Sequence, residues 1–208
     1  MNNTPKQRNA PEQSRVARRR ARVRAELLAA ARQVFARRGY QDATITEITE
    51  LADVAMGTFY LHFRDKAELF AALAAEGLQT IREQLLTVLA KRSGEQTIPL
   101  VIRTLLQSAY EQRDLFMLIC AGEGQSIAQT YTFSAEEGLA ELLLPALQAA
   151  KDQGQLATYD PVLLARLMMS MIIQAITWWL EYDEPGPDVM AEHILYLLGR
   201  GLPAWLLA

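Results

Sequence analysis

The chain has 208 residues, half of them apolar and 22% charged, a composition that suits one or two globular units and excludes a mainly disordered or disulfide-scaffold protein. Cys120 is the sole cysteine and His62 and His193 the only histidines, too few ligands for a closed zinc site, so a reducing compartment, no metal and no cofactor are expected. The net charge of −3 is unevenly spread: residues 1–66 hold 13 Lys/Arg against 7 Asp/Glu, a balance of +6, and residues 67–208 hold 8 against 17, or −9.

Most of the positive excess lies in the first 24 residues, where Lys6, Arg8, Arg15, Arg18, Arg19, Arg20, Arg22 and Arg24 face only Glu12. A basic lead-in on an acidic body suggests a polyanion partner for the N-terminal part. By charge alone a solvated arm is as good a reading, and RNA or anionic lipid stays open beside DNA. Residues 1–23, which begin with Asn2, Asn3, Pro5, Asn9, Pro11 and Gln13, are expected to be a disordered basic arm.

The first predicted helix runs from about Arg24 to Arg38. Leu27, Leu28, Ala31, Val34 and Phe35 share one face, Arg37 and Arg38 suit the negative end of the helix, and Gly39 stops it. A short helix from Thr44 to about Ala52 opens with Thr44 and Glu47 at capping-box spacing. After Asp53-Val54-Ala55 another covers about Met56 to His62, and Asp65 and Glu68 repeat the capping spacing at the head of a longer helix that passes Gln79. Beyond it, helices are predicted at about Ile98–Glu111, Leu115–Ala121, Ser126–Asp152, Pro161–Tyr182 and Asp188–Arg200, with breaks near Ser93-Gly94, Gly122 to Gly124, Gln153-Gly154 and Asp183 to Pro187. No stretch alternates apolar and polar residues long enough for a convincing strand. The N-terminus lacks a secretory apolar run, and the most hydrophobic segment, Val162 to Leu180, is interrupted by Arg166, Ser170, Gln174 and Thr177, so a soluble cytoplasmic protein with no membrane partner is expected.

The two short helices and their three-residue turn, with Ile48, Leu51, Ala52, Val54, Phe59 and Phe63 spaced to bury against one another, make a helix-turn-helix. In such a motif the second helix enters the major groove. Gly57 allows close backbone approach, Thr58 and the helix N-terminus offer donors to a phosphate, and Tyr60, His62 and Lys66 follow to complete a phosphate clamp.

The stretch Thr44 to Leu69, reading TITEITELADVAMGTFYLHFRDKAEL, together with the preceding Phe35-Ala36-Arg37-Arg38-Gly39-Tyr40, resembles the helix-turn-helix of the TetR (tetracycline-repressor-like) family of bacterial transcriptional regulators. The resemblance implies an all-α fold: a three-helix DNA-binding head, placed at residues 24–70, and a larger helical bundle, residues 71–208, that binds a small-molecule effector and pairs through its last two helices as a homodimer. By position, Thr44, Thr58, Tyr60, His62 and Lys66 match the family's phosphate contacts, and Thr46, Met56, Gly57 and Leu61 match positions that face bases. Asp53 stands in place of the usual turn glycine, Ala55 in place of a common capping serine and Thr49 in place of a common alanine. Met56 and Leu61 make no bidentate hydrogen bonds, so base reading falls to thymine methyls, Thr46 and DNA shape.

In the body, the helix Pro161–Tyr182 is apolar over so much of its circumference that it needs cover on more than one side. The next helix adds Val189, Met190, Ile194, Leu197 and Leu198, with Gly199 and Gly201 permitting close approach, and two such hairpins make a four-helix interface; a monomer core is the plainer alternative. Tyr110, Met117, Cys120, Tyr131, Phe133, Met168, Met171, Gln174 and Trp178 are candidate effector contacts on the helices that enclose the family's cavity, pointing to an apolar or aromatic effector. The function expected is therefore a ligand-responsive repressor acting on a near-palindromic double-stranded operator. The competing readings are a small-molecule binding or sequestering protein with an inactive head and, last, an enzyme, since neither histidine stands beside a nucleophile elbow, phosphate loop or metal spread.

Overall fold

A computed structural model describes residues 10–91, 97–120, 138–156, 159–182 and 184–200, the side chains of residues 10–14, 91, 119 and 120 aside. Among them every regular element is a helix: α1 Ala10–Asp42, α2 Ile45–Leu51, α3 Met56–Tyr60, α4 Lys66–Lys91, α5 Thr97–Glu111, α6 Arg113–Cys120, α7 Leu144–Asp152, α8 Pro161–Tyr182 and α9 Pro187–Arg200. The chain divides into two compact units, Met1–Leu73 and Ala74–Ala208.

In the first unit, the apolar face foreseen on α1 is buried throughout: Leu27, Leu28, Ala31, Val34 and Phe35 are each at most 6% exposed. Burial of each large member contributes about 1.5–3 kcal/mol. Gly39, with φ 75° and ψ 169°, breaks the helical path and lets Tyr40 turn inward. The Tyr40 ring then packs with those of Phe35 and Phe70 at centroid separations of 5.6 and 5.0 Å. α1 begins earlier than the sequence suggests, however. It runs back to Ala10, so residues 10–23, expected to be disordered, are helical. Arginine and alanine are strong helix formers and fill most of Arg15–Arg24, so the segment continues the helix that Leu27 and its neighbours anchor.

α2 starts at a complete capping box. Thr44 Oγ1 accepts from the Glu47 amide at 3.2 Å, and the Glu47 carboxylate accepts from the Thr44 amide at 3.0 Å. The helix ends in a Schellman motif: Asp53 adopts the left-handed conformation (φ 52°), the Val54 amide reaches Thr49 O at 3.0 Å and the Asp53 amide reaches Glu50 O at 3.2 Å. Asp53 thus takes the backbone role that a glycine would fill without strain. Of the residues expected to bury across the turn, Ile48, Phe59 and Phe63 do so, whereas Leu51 lies 43% exposed on the outer side of α2.

In the second unit the core joins Ile81 and Leu85 of α4, Val101, Ile102, Leu105, Leu106 and Ala109 of α5, Phe116 of α6, and the Met169, Ile172, Ile176 and Trp179 side of α8, closed by Met190, Ala191 and Ile194 of α9. Arg103 of α5 and Glu192 of α9 are ion-paired. α4 and α6 approach so closely that a Cβ at Gly77 would lie 2.2 Å from Leu115 Cδ2. The long helix expected over Ser126–Asp152 is not continuous where it is described, because residues 141–143 form turns before α7. Pro145 has no amide to offer Glu141 O, which is served by the Leu144 amide at 3.3 Å in a tighter bond. α8 is long and apolar enough to cross a membrane by length and composition, but one side of it forms the core just described.

Candidate nucleic-acid interface

The turn after α2 delivers α3, a helix of only five residues. Phe59, fully buried, anchors it from below, with Phe63 at 5.8 Å. That anchoring turns Met56, Gly57, Tyr60 and Leu61 outward, with Met56 38%, Tyr60 56% and Leu61 72% exposed. The Tyr60 ring rests edge-on against Phe59, which fixes its base while leaving the phenol in solvent. A Cβ at Gly57 would meet nothing within 4 Å, so no packing inside the protein requires glycine there. Thr58 is half-buried, Thr46 is exposed on α2, and the α3 N-cap, Ala55, makes no side-chain capping bond. The Thr58 amide closes onto Ala55 O at 2.8 Å, which leaves the Met56 and Gly57 amides at this end to an anion.

Two of the expected phosphate contacts have other partners. Lys66 does not reach outward: its Nζ donates to the carbonyls of Tyr40 (2.6 Å), Gln41 (2.9 Å) and Ala43 (2.8 Å), and lies 4.6 Å from the centre of the Tyr40 ring. An ammonium has three hydrogens, and all three are engaged. Lys66 thus ties down the chain between Gly39 and α2, and the clamp as drawn from the sequence loses its cation. Burial pushes its pKa below the ordinary lysine value, and the Asp42 carboxylate opposes the shift. Thr44 gives its one hydroxyl proton to Glu47 at 2.9 Å. The Thr44 bonds, more than Arg38 at 3.4 Å, hold the Glu47 carboxyl below its usual range.

Arg20 and Arg24 make contacts within the head that sequence reasoning missed. Arg20 Nη2 donates to Leu61 O, at the C-terminal end of α3, at 3.4 Å, and the Arg24 guanidinium stands 5.3 Å over the Phe63 ring. The half-buried His62 has its pKa lowered by burial first and then by the charges of Arg20 and Arg24. A legible signal existed: positions 20 and 24 extend the stripe of Leu27, Leu28, Ala31 and Phe35 backwards at helical spacing.

Among the described residues, the expected effector contacts have differing surroundings. Met168 is buried in the core and Met117 packs against it. Met171 and Trp178 are about half exposed, on the same side of α8 as the exposed Gln174. Tyr110 stacks on Trp179 at 5.8 Å. Tyr131, Phe133 and the side chain of Cys120 lie outside the described residues. An open groove of about 610 Å³ between α4 and α5 is lined by residues such as Glu83, Gln84, Arg103, Gln107 and Ser108 and includes none of the nine.

Short helices crossed over a buried aromatic anchor, with one helix presenting its side chains and unpaired amides to solvent, define a helix-turn-helix DNA-binding protein. Residues 27–73 match the bacterial regulatory proteins of the tetR family. The HTH-type transcriptional repressor BepR of Brucella suis is 27% identical over 183 residues, 82% of this chain and 86% of that protein. The HTH-type transcriptional regulator TtgR of Pseudomonas putida is 35% identical over 91 residues, less than half of either chain. In structure, the fatty acid degradation regulator FadR of Bacillus halodurans superposes with a TM-score of 0.76 at 20% identity, covering 86% of this chain and 95% of that one. The FadR of Bacillus subtilis, solved in complex with stearoyl-CoA, gives 0.74 at 24% identity, covering 86% and 99%. Residues 27–73 thus match a tetR-type DNA-binding head, and over most of its length the chain is similar to an HTH-type transcriptional repressor.

Proposed function

We propose that the protein is a cytoplasmic repressor that binds a dyad-symmetric operator as a homodimer and responds to a small-molecule effector with an apolar or aromatic part. The observation that carries the DNA reading is the outward set Met56, Gly57, Tyr60 and Leu61 on a helix fixed from beneath by Phe59. Thr46 and Thr58 supply hydroxyls beside it, and Tyr60, His62 and the α3 amides supply donors to the phosphate backbone. Lys66 and Thr44 act in this reading through position, holding α2 at its angle to α1. The assignment of Met56 and Leu61 to base edges rests on their exposure and on the apolar contact they offer to thymine methyls.

Dimerisation is supported by an uncovered apolar stripe. Leu163, Leu167, Met171, Trp178 and Tyr182 recur at helical spacing along α8, all between 49% and 62% exposed, and α9 adds Val189, Tyr196 and Leu197. A stripe of this length marks an association surface, and a self-complementary pairing across a two-fold axis would place two α3 helices on successive major grooves. The effector is read from the family, from BepR and TtgR as regulators, and from the acyl-CoA bound to one structural neighbour.

Selection from random duplex DNA tests the reading. An enriched site with two-fold symmetry is expected from the intact protein, and Leu167→Arg should yield a monomer in sedimentation that no longer enriches it. Recovery of no symmetric site, or of the same site by a protein that sediments as a monomer, overturns the proposal.

A further inference from the structure

The N-terminal half of α1 lies outside the packed part of the head. The buried face of the helix starts at Leu27, yet the helix runs back to Ala10. Between Arg15 and Arg24 there are six arginines and no acidic residue, all six exposed. At 1.5 Å per residue these charges share about 15 Å of helix. Charges at i, i+4 such as Arg15 and Arg19 repel one another. The ion pair of Arg22 with Glu26, 3.5 Å long and exposed, offsets little of this.

What directs this helix is its attachment. Arg20 and Arg24, one turn apart, hold it to Leu61 O and to the Phe63 ring, at the exit of α3. Arg15, Arg19 and Arg22, at i, i+4 and i+7, occupy the roughly opposite side. The attachment is close to the groove-facing residues, because α3, at five residues, is only about 7.5 Å long.

We infer that this arginine helix is a second DNA-binding element: Arg20 and Arg24 pin it beside the recognition helix while Arg15, Arg19 and Arg22 engage phosphates of the same duplex, adding affinity without sequence preference. The inference rests on the reading of α3 as the element that faces bases. A duplex whose groove receives α3 must carry its backbone past the end of that helix, where the arm is fixed. The planar guanidinium pairs with two phosphate oxygens at once, a geometry that suits arginine better than lysine. Engaged phosphates also cancel the repulsion along the arm, so the helix from Arg15 to Arg24 should be more stable on DNA than off it.

The test uses the full-length protein, its selected operator and a scrambled duplex of equal length. The variant R15Q/R19Q/R22Q removes three charges while keeping helix formers, which circular dichroism verifies. Its affinity for both duplexes should fall by a similar factor, on the order of 10- to 100-fold at moderate salt, and the slope of log K against log salt should shallow by about 0.9 per phosphate lost, up to about 2.7. The ratio of operator to scrambled binding should stay as in the parent. R15K/R19K/R22K should recover most of the slope. An unchanged slope in the glutamine variant, a loss confined to the operator, or tighter capture by anionic vesicles or duplex RNA than by duplex DNA overturns the inference. If instead the unmodified protein fails to prefer its operator, it is the base-reading role of α3 that falls.

Discussion

Replacing Lys66 by methionine keeps a straight apolar stem and deletes the ammonium. In the structure that ammonium satisfies three carbonyls, those of Tyr40, Gln41 and Ala43, at 2.6–2.9 Å, and faces the Tyr40 ring. Hydrogen bonds from a charged donor contribute about 1.5–3 kcal/mol each and an exposed cation–π contact about 0.5–1, a simple sum of roughly 5–10 kcal/mol. The true loss is smaller, because the ammonium gave up hydration to reach this position, as its lowered pKa reflects, and water can reach part of the freed carbonyls. A net destabilisation of about 2–4 kcal/mol follows. For a cooperative unit of this size that is a fall in melting temperature of roughly 10–25 °C. Hydrogen exchange at the α2 amides, without DNA, should report faster opening by the same free energy, alongside a lower first transition in calorimetry. Were Lys66 instead a mobile phosphate ligand, exchange and melting would be unchanged and the variant would only lose about 0.9 from the salt slope of DNA binding. That outcome refutes the tether.

Two substitutions at the turn should stabilise the head: Ala55→Ser, at an N-cap with extended backbone and no capping bond, by about 0.5–1 kcal/mol, and Asp53→Gly, at φ 52°, by up to about 1 kcal/mol. Denaturant melts check both, and a loss of stability at either site contradicts the cap assignments. Gly77→Ala should gain helix propensity of about 1 kcal/mol but force Leu115 aside at a cost of about 1–3 kcal/mol; in a Leu115→Ala background the same change should become stabilising, and equal effects in both backgrounds would show that the close approach is harmless. For His62, the folded pKa lies below the unfolded value of about 6.5, so the unfolded chain takes up the proton first. Its contribution to stability is complete above that value and declines as pH falls toward the folded pKa. His62→Gln should flatten the stability profile of the head as pH falls below about 7, and an identical decline in the variant shows that other groups cause it.

Much of the interface can be traced to local signals. Thr44 and Glu47 cap each other because three residues separate them, and the same spacing lets Asp65 Oδ1 accept from the Glu68 amide at 2.7 Å. There the box is not reciprocal, since the Glu68 carboxylate turns to the Arg64 amide at 2.7 Å. Leu27 through Phe35 bury one face because the helix repeats every 3.6 residues. Leu51 shows the limit of such patterns: three positions after the buried Ile48, a spacing that puts the two on neighbouring parts of one face, it is nonetheless 43% exposed in the last position of α2.

The amino-acid order alone thus placed the two short helices, the Thr44 cap and the turn at Asp53, since each depends on atoms within a few residues of one another, but it missed the early start of α1 and the break before α7. Folding in three dimensions decided where the long charged side chains end. Lys66 meets carbonyls 23 to 26 positions earlier, and Arg20 meets Leu61, 41 positions later. A flexible stem on a lysine or arginine can point to solvent, to DNA or inward, and only the approach of distant backbone selects among them.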